Sequence, residues 1–99
     1  MGYMNRQEVI GKIASHLTYL KERYHVGEIG IFGSVARGED TAESDVDILV
    51  EFTSPIGLFD FLRLEKYLSE ILGRKVDLVS RKGVKPAIRD EVLKDAVYV

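Results

Sequence analysis

Two different periods of hydrophobic and polar residues run along the chain, and they predict alternating helices and strands. Apolar residues recur every three or four positions in helices expected at 5–24 and 58–72 and from Pro86 onward, and a short helix is expected at 35–38 after a turn. Short apolar runs predict strands at 28–32, 45–52 and 75–80. This order predicts a small α/β layer structure, and by pattern alone its sheet could be parallel and doubly wound.

The predicted helix ends carry residues that favour those positions. Asn5 suits the N-cap of the first helix, Gly73 suits the C-cap of the long helix at 58–72, and Pro86 suits the first turn of the last helix. The helix at 58–72 has an unusually wide apolar stripe. Its members are Leu58, Phe59, Phe61, Leu62, Leu64, Tyr67, Leu68, Ile71 and Leu72.

Two carboxylates interrupt the second predicted strand. In a strand, alternate side chains point to opposite faces, so Asp45 and Asp47 are expected on one face and Val46 and Ile48 on the other. Aspartate is disfavoured in strands. Two carboxylates so near each other also resist being ionised at the same time, because their negative charges repel. A divalent cation would resolve this repulsion. The alternative is that Asp45 only caps the strand and Asp47 only faces solvent.

Gly33 and Ser34 precede the two carboxylates, separated from Asp45 by the ten residues 35–44. Glycine allows a tight turn and a close approach of the backbone to an anion, and free N–H groups at a helix start can face phosphate oxygens. The alternative is a simple turn with Ser34 as a helix N-cap. With the carboxylates, the pair predicts a site for a metal-bound nucleoside triphosphate.

Three segments resemble the minimal nucleotidyltransferases, or MNT domains, of the DNA polymerase β-like superfamily. They are Gly33–Gly38, Ser44–Val50 and Val76–Val79. The resemblance covers most of the chain and implies an α+β fold, in which helices pack on a small mixed sheet of the nucleotidyltransferase type. It also implies that Asp77 joins Asp45 and Asp47 at one edge of that sheet.

The resemblance implies catalytic and metal-binding roles for these carboxylates. Asp45 and Asp47 would bridge two Mg²⁺ ions, with Mn²⁺ also acceptable to a site of oxygen ligands. Asp77 would complete one metal site and could take the proton of the attacking hydroxyl; its alternative is a simple exposed position in an alternating strand. His16 and His25 show no ligand spacing and are expected to be structural.

The same resemblance assigns nucleotide binding to the segment after the first strand. Gly33 would bind the phosphates of ATP through its N–H, and Ser34 would bind them through its hydroxyl. Arg37 could contact the triphosphate or pair on the surface with Glu39 or Asp40. We hold both interpretations of Arg37 open.

Composition adds limits on the class of protein. The 99 residues predict a single domain, 1–99, and the absence of cysteine, of an export leader and of a long apolar run favours a cytoplasmic protein without a membrane partner. A net charge of −2 disfavours nucleic acid as the main partner. Six basic residues at 74–89 are either solvated surface or an electropositive rim for a triphosphate or an acidic partner.

These features predict an enzyme that transfers AMP from ATP to an acceptor hydroxyl. Stand-alone domains of this kind resemble the antitoxin of HEPN and MNT toxin–antitoxin pairs, which implies AMPylation of a tyrosine of a HEPN ribonuclease. The wide apolar stripe at 58–72 would suit such a partner. The alternatives are a non-catalytic antitoxin that acts by binding alone and a small-molecule nucleotidyltransferase.

Overall fold

A computed structural model of the chain describes residues 4–99, in which five helices pack with a four-stranded sheet. The helices are α1 Arg6–Ser15, α2 Leu17–Tyr24, α3 Gly33–Arg37, α4 Leu58–Leu72 and α5 Pro86–Asp95. The strands are β1 Val26–Phe32, β2 Val46–Phe52, β3 Val76–Ser80 and β4 Val97–Tyr98. The strand order is β3-β2-β1-β4.

The sheet is mixed, as the resemblance implied, and is not doubly wound. β1 pairs antiparallel with β2 and with β4, whereas β2 and β3 run parallel. In this register Ile31, Ile48 and Leu78 lie in one row across the three central strands, and Phe32, Asp47 and Asp77 lie in the next row. Successive rows face opposite sides of the sheet.

One face of the sheet forms the hydrophobic core with α1, α2 and α4. Its fully or almost fully buried members from the strands are Ile29, Ile31, Val46, Ile48, Val50, Val76 and Leu78. The helices contribute Val9, Ile13, Leu20, Leu64, Leu68 and Leu72. We call this side the core face. We call the opposite side, which carries Asp47 and Asp77, the carboxylate face.

The first helix differs from the prediction. Asn5 is its N-cap, as expected, with a capping box in which Asn5 Oδ1 accepts from the N–H of Glu8. However, the helix expected at 5–24 is interrupted at His16, whose backbone (φ −107°, ψ 6°) leaves the helical region. The ring of His16 has its Nδ1 2.7 Å from the Tyr67 hydroxyl on α4. This tertiary contact accompanies the break.

Several other boundaries also required correction. α3 begins at Gly33 rather than at Val35 and is capped by Gly38, and β2 begins at Val46, so Asp45 lies just outside the strand. β1 begins at Val26, two residues earlier than predicted. The strand β4 was not predicted. α4 has the predicted bounds, with Gly73 as its left-handed C-cap.

The apolar stripe of α4 divides into two halves. The C-terminal half is buried through Leu64, Leu68 and Leu72. The N-terminal half is exposed, with 77% of Phe59 and 69% of Leu58 accessible. Burial in the core therefore accounts for only part of the stripe.

Candidate functional site

The carboxylates of Asp47 and Asp77 are neighbours on adjacent parallel strands. The two residues are register partners in the β2–β3 pair, so their side chains lie on the same face of the sheet. Asp45 immediately precedes β2 and is close enough to influence Asp47 electrostatically. The sheet thus places Asp47 and Asp77 side by side on the carboxylate face, and Asp45 lies near them just before β2.

The environment of Asp47 disfavours its charged form. Burial raises the pKa of the Asp47 carboxyl above its usual 3.8, and the negative charges of Asp77 and Asp45 raise it further. Arg37 acts in the opposite direction but does not reverse the shift. A cation bound between these groups would favour ionisation of all three.

Gly33 lies directly against Asp47. It has φ +72°, in the left-handed region, and a Cβ at this position would collide with Oδ2 of the Asp47 carboxylate. Phe32, the residue before it, is the register partner of Asp47 across the β1–β2 pair. Glycine is therefore required here both for the turn and for the approach of the carboxylate.

The carboxylates fit a magnesium ion that also binds phosphate. The side chains at this edge offer only oxygen ligands, and Lys75 Nζ, 3.9 Å from Asp45 Oδ2, is exposed and can move away. Within residues 4–99, no three His, Cys, Asp or Glu side chains converge as a ready-made metal cage. Mg²⁺ is commonly held by one or two carboxylates together with substrate phosphates, so a complete protein cage is not required.

β3 is an edge strand whose outer N–H groups are bound by side chains of α4. Glu65 Oε2 accepts from the N–H of Leu78 at 2.9 Å, and Ser69 Oγ accepts from the N–H of Val76 at 3.1 Å. These two bonds flank Asp77. They fix the strand on both sides of that carboxylate and satisfy donors that an edge strand would otherwise leave open.

Arg37 is paired with two acids on the surface. Its Nε lies 2.7 Å from Glu39 Oε1, and its Nη1 lies 2.6 Å from Asp95 Oδ2 at the end of α5. Of the two surface partners considered for Arg37, Glu39 is paired with it, whereas Asp40 pairs with Arg74. Both neighbours raise the pKa of Arg37. A triphosphate would have to compete with them for this guanidinium.

The basic segment at 74–89 does not form a uniform rim. Arg74 is buried against Asp40, and Arg81 Nη1 lies 3.4 Å from Glu51 and 3.8 Å from Glu28. Carboxylates therefore balance both of these guanidinium groups. The rim hypothesis is wrong for Arg74, because only 7% of its side chain is exposed.

Sequence reasoning missed the residues that support the site. No role is predicted from the sequence for Glu65 and Ser69, whose side chains bind the edge of β3, or for Asp95, which pairs with Arg37. No motif marks these residues, but Glu65 and Ser69 are one turn apart, a spacing that places both on one side of a helix. Gly30 could have indicated β4, since a glycine within a strand often marks a place where another backbone approaches closely. A Cβ at Gly30 would lie 2.7 Å from the Val97 carbonyl oxygen.

None of the helices found in residues 4–99 has the length and apolar character needed to cross a membrane.

Two comparisons of the amino-acid sequence with known proteins agree with each other. A family model described as a nucleotidyltransferase domain matches residues 13–99. The chain is 43% identical to the protein adenylyltransferase MntA of Thermococcus cleftensis, over 99 residues that cover 100% of both chains.

Comparison with solved structures agrees with the fold. A structure described as a candidate minimal nucleotidyltransferase superposes with a TM-score of 0.82 at 36% identity and covers 98% of each chain. A chain from a complex between a tri-AMPylated HEPN toxin of Shewanella oneidensis and an MNT antitoxin superposes with a TM-score of 0.70 at 22% identity. That match covers 94% of the present chain and 70% of the other, and at this identity it shows a shared fold.

Proposed function

Because the chain belongs to the nucleotidyltransferase domain family, we propose that it transfers AMP from ATP to a hydroxyl group of a protein. The observation that carries this proposal is the side-by-side placement of Asp47 and Asp77 on adjacent strands, with Asp45 and the Gly33 turn beside them. The protein would act as a single domain spanning 1–99 and would work in the cytoplasm, where ATP is available.

Asp45 and Asp47 are proposed to bind two Mg²⁺ ions, and Asp77 is proposed to bind one of them. Bound Mg²⁺ supplies charge neutralisation at the phosphates and a template for the attacking and leaving oxygens. The raised pKa of Asp47 supports this assignment, because its causes are burial and the negative charges of Asp77 and Asp45.

The residues of this chain would orient the two reactants. The N–H of Gly33 and the hydroxyl of Ser34 hold the triphosphate, and Arg37 joins them if it exchanges its acidic partners for phosphate oxygens. The acceptor oxygen forms a bond to the α-phosphorus while the bond from that phosphorus to the bridging oxygen of the β-phosphate breaks. Pyrophosphate leaves, and Asp77 takes the proton of the hydroxyl.

The acceptor is proposed to be a tyrosine of a HEPN-family ribonuclease, so that AMPylation makes this chain an antitoxin. The name of the Thermococcus relative specifies a protein acceptor, and the fold is shared with a chain from a complex that contains an AMPylated HEPN toxin. The exposed half of α4, with Leu58, Phe59 and Leu62, offers an apolar surface suited to such a partner.

Intact-mass spectrometry of the HEPN partner tests this proposal. After incubation with ATP, Mg²⁺ and the wild-type protein, the partner should gain the mass of one AMP unit or a small multiple. Asp45→Asn and Asp47→Asn should give no added mass, and tandem mass spectrometry should locate the addition on a tyrosine. Neutralisation of the toxin without added mass, undiminished in both variants, would contradict the proposal.

That contrary result would favour a second candidate function, a non-catalytic antitoxin that acts by contact alone. The observation that favours it is the same exposed apolar half of α4, since a binding surface does not need the carboxylates. The two functions differ in their dependence on Asp47, which is why the variants decide between them.

A further inference from the structure

The side chain of Arg74 is buried beside the loop that leads to Asp45. Only 7% of the Arg74 side chain and 7% of the Asp40 side chain are exposed, and Arg74 Nη1 lies 3.2 Å from Asp40 Oδ2. Arg74 Nη2 donates to the carbonyl oxygens of Thr41 at 3.1 Å and Ser44 at 2.7 Å. One guanidinium therefore binds three points of the same loop.

An ion pair buried to this degree is an inefficient way to stabilise a fold. Removing two charges from water costs free energy that their attraction repays only when further hydrogen bonds complete the geometry. Arg74 adds hydrogen bonds of this kind to the loop carbonyls and to Met4, whose carbonyl oxygen accepts from Nη1 at 3.3 Å. The planar guanidinium suits this task, because its donors point in fixed directions.

The bound loop is already folded on itself. The N–H of Thr41 donates to Ser44 Oγ at 2.9 Å, and the N–H of Ser44 donates to the Thr41 carbonyl at 3.0 Å. Arg74 binds the carbonyl oxygens of the same two residues. The turn and the guanidinium thus form one hydrogen-bonded unit.

This unit ends at the peptide bond of Asp45. Asp45 lies outside β2, so the sheet does not hold it directly, but its neighbours are held on both sides. Arg74 binds the Ser44 carbonyl. The backbone carbonyl oxygen of the next residue, Lys75, accepts a hydrogen bond from the N–H of Val46 at 2.9 Å. Two consecutive residues before β3 therefore fix the backbone around Asp45.

We propose that Arg74 is a positioning residue, which sets the Asp45 carboxylate for magnesium and nucleotide binding without touching either. The role of Asp45 in this inference rests on the function proposed above. Removing the guanidinium should loosen the loop and weaken the contribution of Asp45 to metal affinity, while Asp47 and Asp77 stay on the sheet.

Two variants test this role by kinetics. In Arg74→Gln and Arg74→Lys, the Mg²⁺ concentration for half-maximal AMP transfer at saturating ATP should rise about tenfold or more, the size found for residues that orient metal ligands. KM for the protein acceptor should not change. Arg74→Lys should resemble Arg74→Gln, because an ammonium keeps the charge but loses the planar set of donors.

A matched control separates this role from general destabilisation. Ile13→Val removes one methylene from the buried surface of α1, away from the loop, and should lower Tm without changing the Mg²⁺ requirement. A wild-type Mg²⁺ requirement in both Arg74 variants, or the same change in Ile13→Val, would overturn the proposal.

Amide hydrogen exchange in the wild-type protein tests the inference without a variant and without enzymatic activity. The amides of Thr41 and Ser44 should exchange at least about 100-fold more slowly than those of an unstructured peptide, as expected for a locally stable unit. Exchange at the peptide rate would overturn the role of Arg74 even if AMP transfer occurs. Absence of AMP transfer by the wild-type protein, with both amides protected, would instead count against the proposed function.

Discussion

The two faces of the sheet are built from alternate residues of the same strands, yet they differ in what they contribute. On the core face, Ile48 and Leu78 are register partners and belong to the hydrophobic core. One residue earlier on each strand, Asp47 and Asp77 are also register partners, but they place two carboxylates side by side. The core face buries apolar side chains, whereas Asp47 on the carboxylate face carries a charge that its surroundings disfavour.

The contrast between the two faces shows how a small domain can hold a cluster of acidic side chains. Burial, and then the negative charges of Asp77 and Asp45, raise the pKa of Asp47, but the strands that carry these carboxylates are held by apolar burial on the other side. Removing a carboxylate and removing a core side chain should therefore have opposite effects on stability and different effects on activity.

Asp47→Asn should give the largest effect and should separate activity from stability. We expect AMP transfer to fall by about 10³-fold or more, the range observed when a charge essential to phosphoryl transfer is lost. Without metal, the variant should be at least as stable as the wild type at neutral pH, because it removes a charge that its surroundings disfavour. Activity assays and thermal unfolding in EDTA measure the two effects.

The pH dependence of unfolding tests whether the charge of Asp47 destabilises the folded state. The pKa of Asp47 is raised in the folded state, so between 3.8 and the folded pKa the folded state binds more protons than the unfolded state. The contribution of Asp47 to stability is therefore lost as pH rises through that window. Wild-type stability should fall relative to Asp47→Asn across the window and then stay level. If the wild type instead gained stability relative to Asp47→Asn as pH rises through this window, the expected sign would be wrong.

Ile48→Ala should give the next largest effect, in the opposite direction. Ile48 is fully buried on the core face next to Asp47, and replacing it with alanine should cost about 2–5 kcal/mol of unfolding free energy through lost burial and a cavity. The milder Ile48→Val should cost about 0.5–1.5 kcal/mol. Chemical denaturation measures both. The transfer rate per folded molecule of Ile48→Val should match the wild type, and a tenfold loss would mean that the two faces are not separable.

Glu65→Ala should have an intermediate effect that spans both faces. It leaves the N–H of Leu78 without its side-chain acceptor on the outer edge of β3, which should cost about 1–3 kcal/mol and loosen the strand around Asp77. Glu65→Gln keeps an acceptor oxygen and is the matched control. Hydrogen exchange of the Leu78 amide should accelerate in the alanine variant and much less in the glutamine variant. Equal acceleration in both would mean that the carboxylate charge matters rather than the acceptor.

Phe59→Ser should have the smallest effect on the fold. Because 77% of Phe59 is exposed, its replacement should change the unfolding free energy by no more than about 0.5 kcal/mol. If the exposed half of α4 binds the HEPN partner, the affinity should fall about tenfold, or 1.4 kcal/mol. Calorimetry with the partner measures this. Lys66→Ser, further along the same helix, is the control, and unchanged affinity in Phe59→Ser would place the partner elsewhere.

The sequence was sufficient to predict the features that depend on local pattern. The alternation around Asp47 and the caps at Asn5 and Gly73 follow from spacing and from the residue types that favour those positions. The mixed sheet, by contrast, came from the resemblance, because hydrophobic periodicity does not determine strand direction. The catalytic, metal-binding and nucleotide-binding roles of the site residues stay predictions.

The features that could not be predicted depend on contacts between distant residues. The break at His16 accompanies a contact with Tyr67, 51 positions away, and β4 forms because Gly30 lets another strand approach. The burial of Arg74 was not foreseen, because its partners lie about 30 residues earlier in a loop without a motif. Local periodicity carries no information about such pairs.

The most direct test of the account is to follow the two ends of the triphosphate separately. The HEPN partner is incubated with Mg²⁺ and ATP labelled with ³²P at either the α or the γ position, using the wild-type protein and folded Asp47→Asn. We predict that the α label, and not the γ label, becomes covalently attached to the partner, only with the wild-type protein and only without EDTA. Attachment of the γ label, or equal attachment of the α label by Asp47→Asn, would contradict the claim that the carboxylate face catalyses AMP transfer.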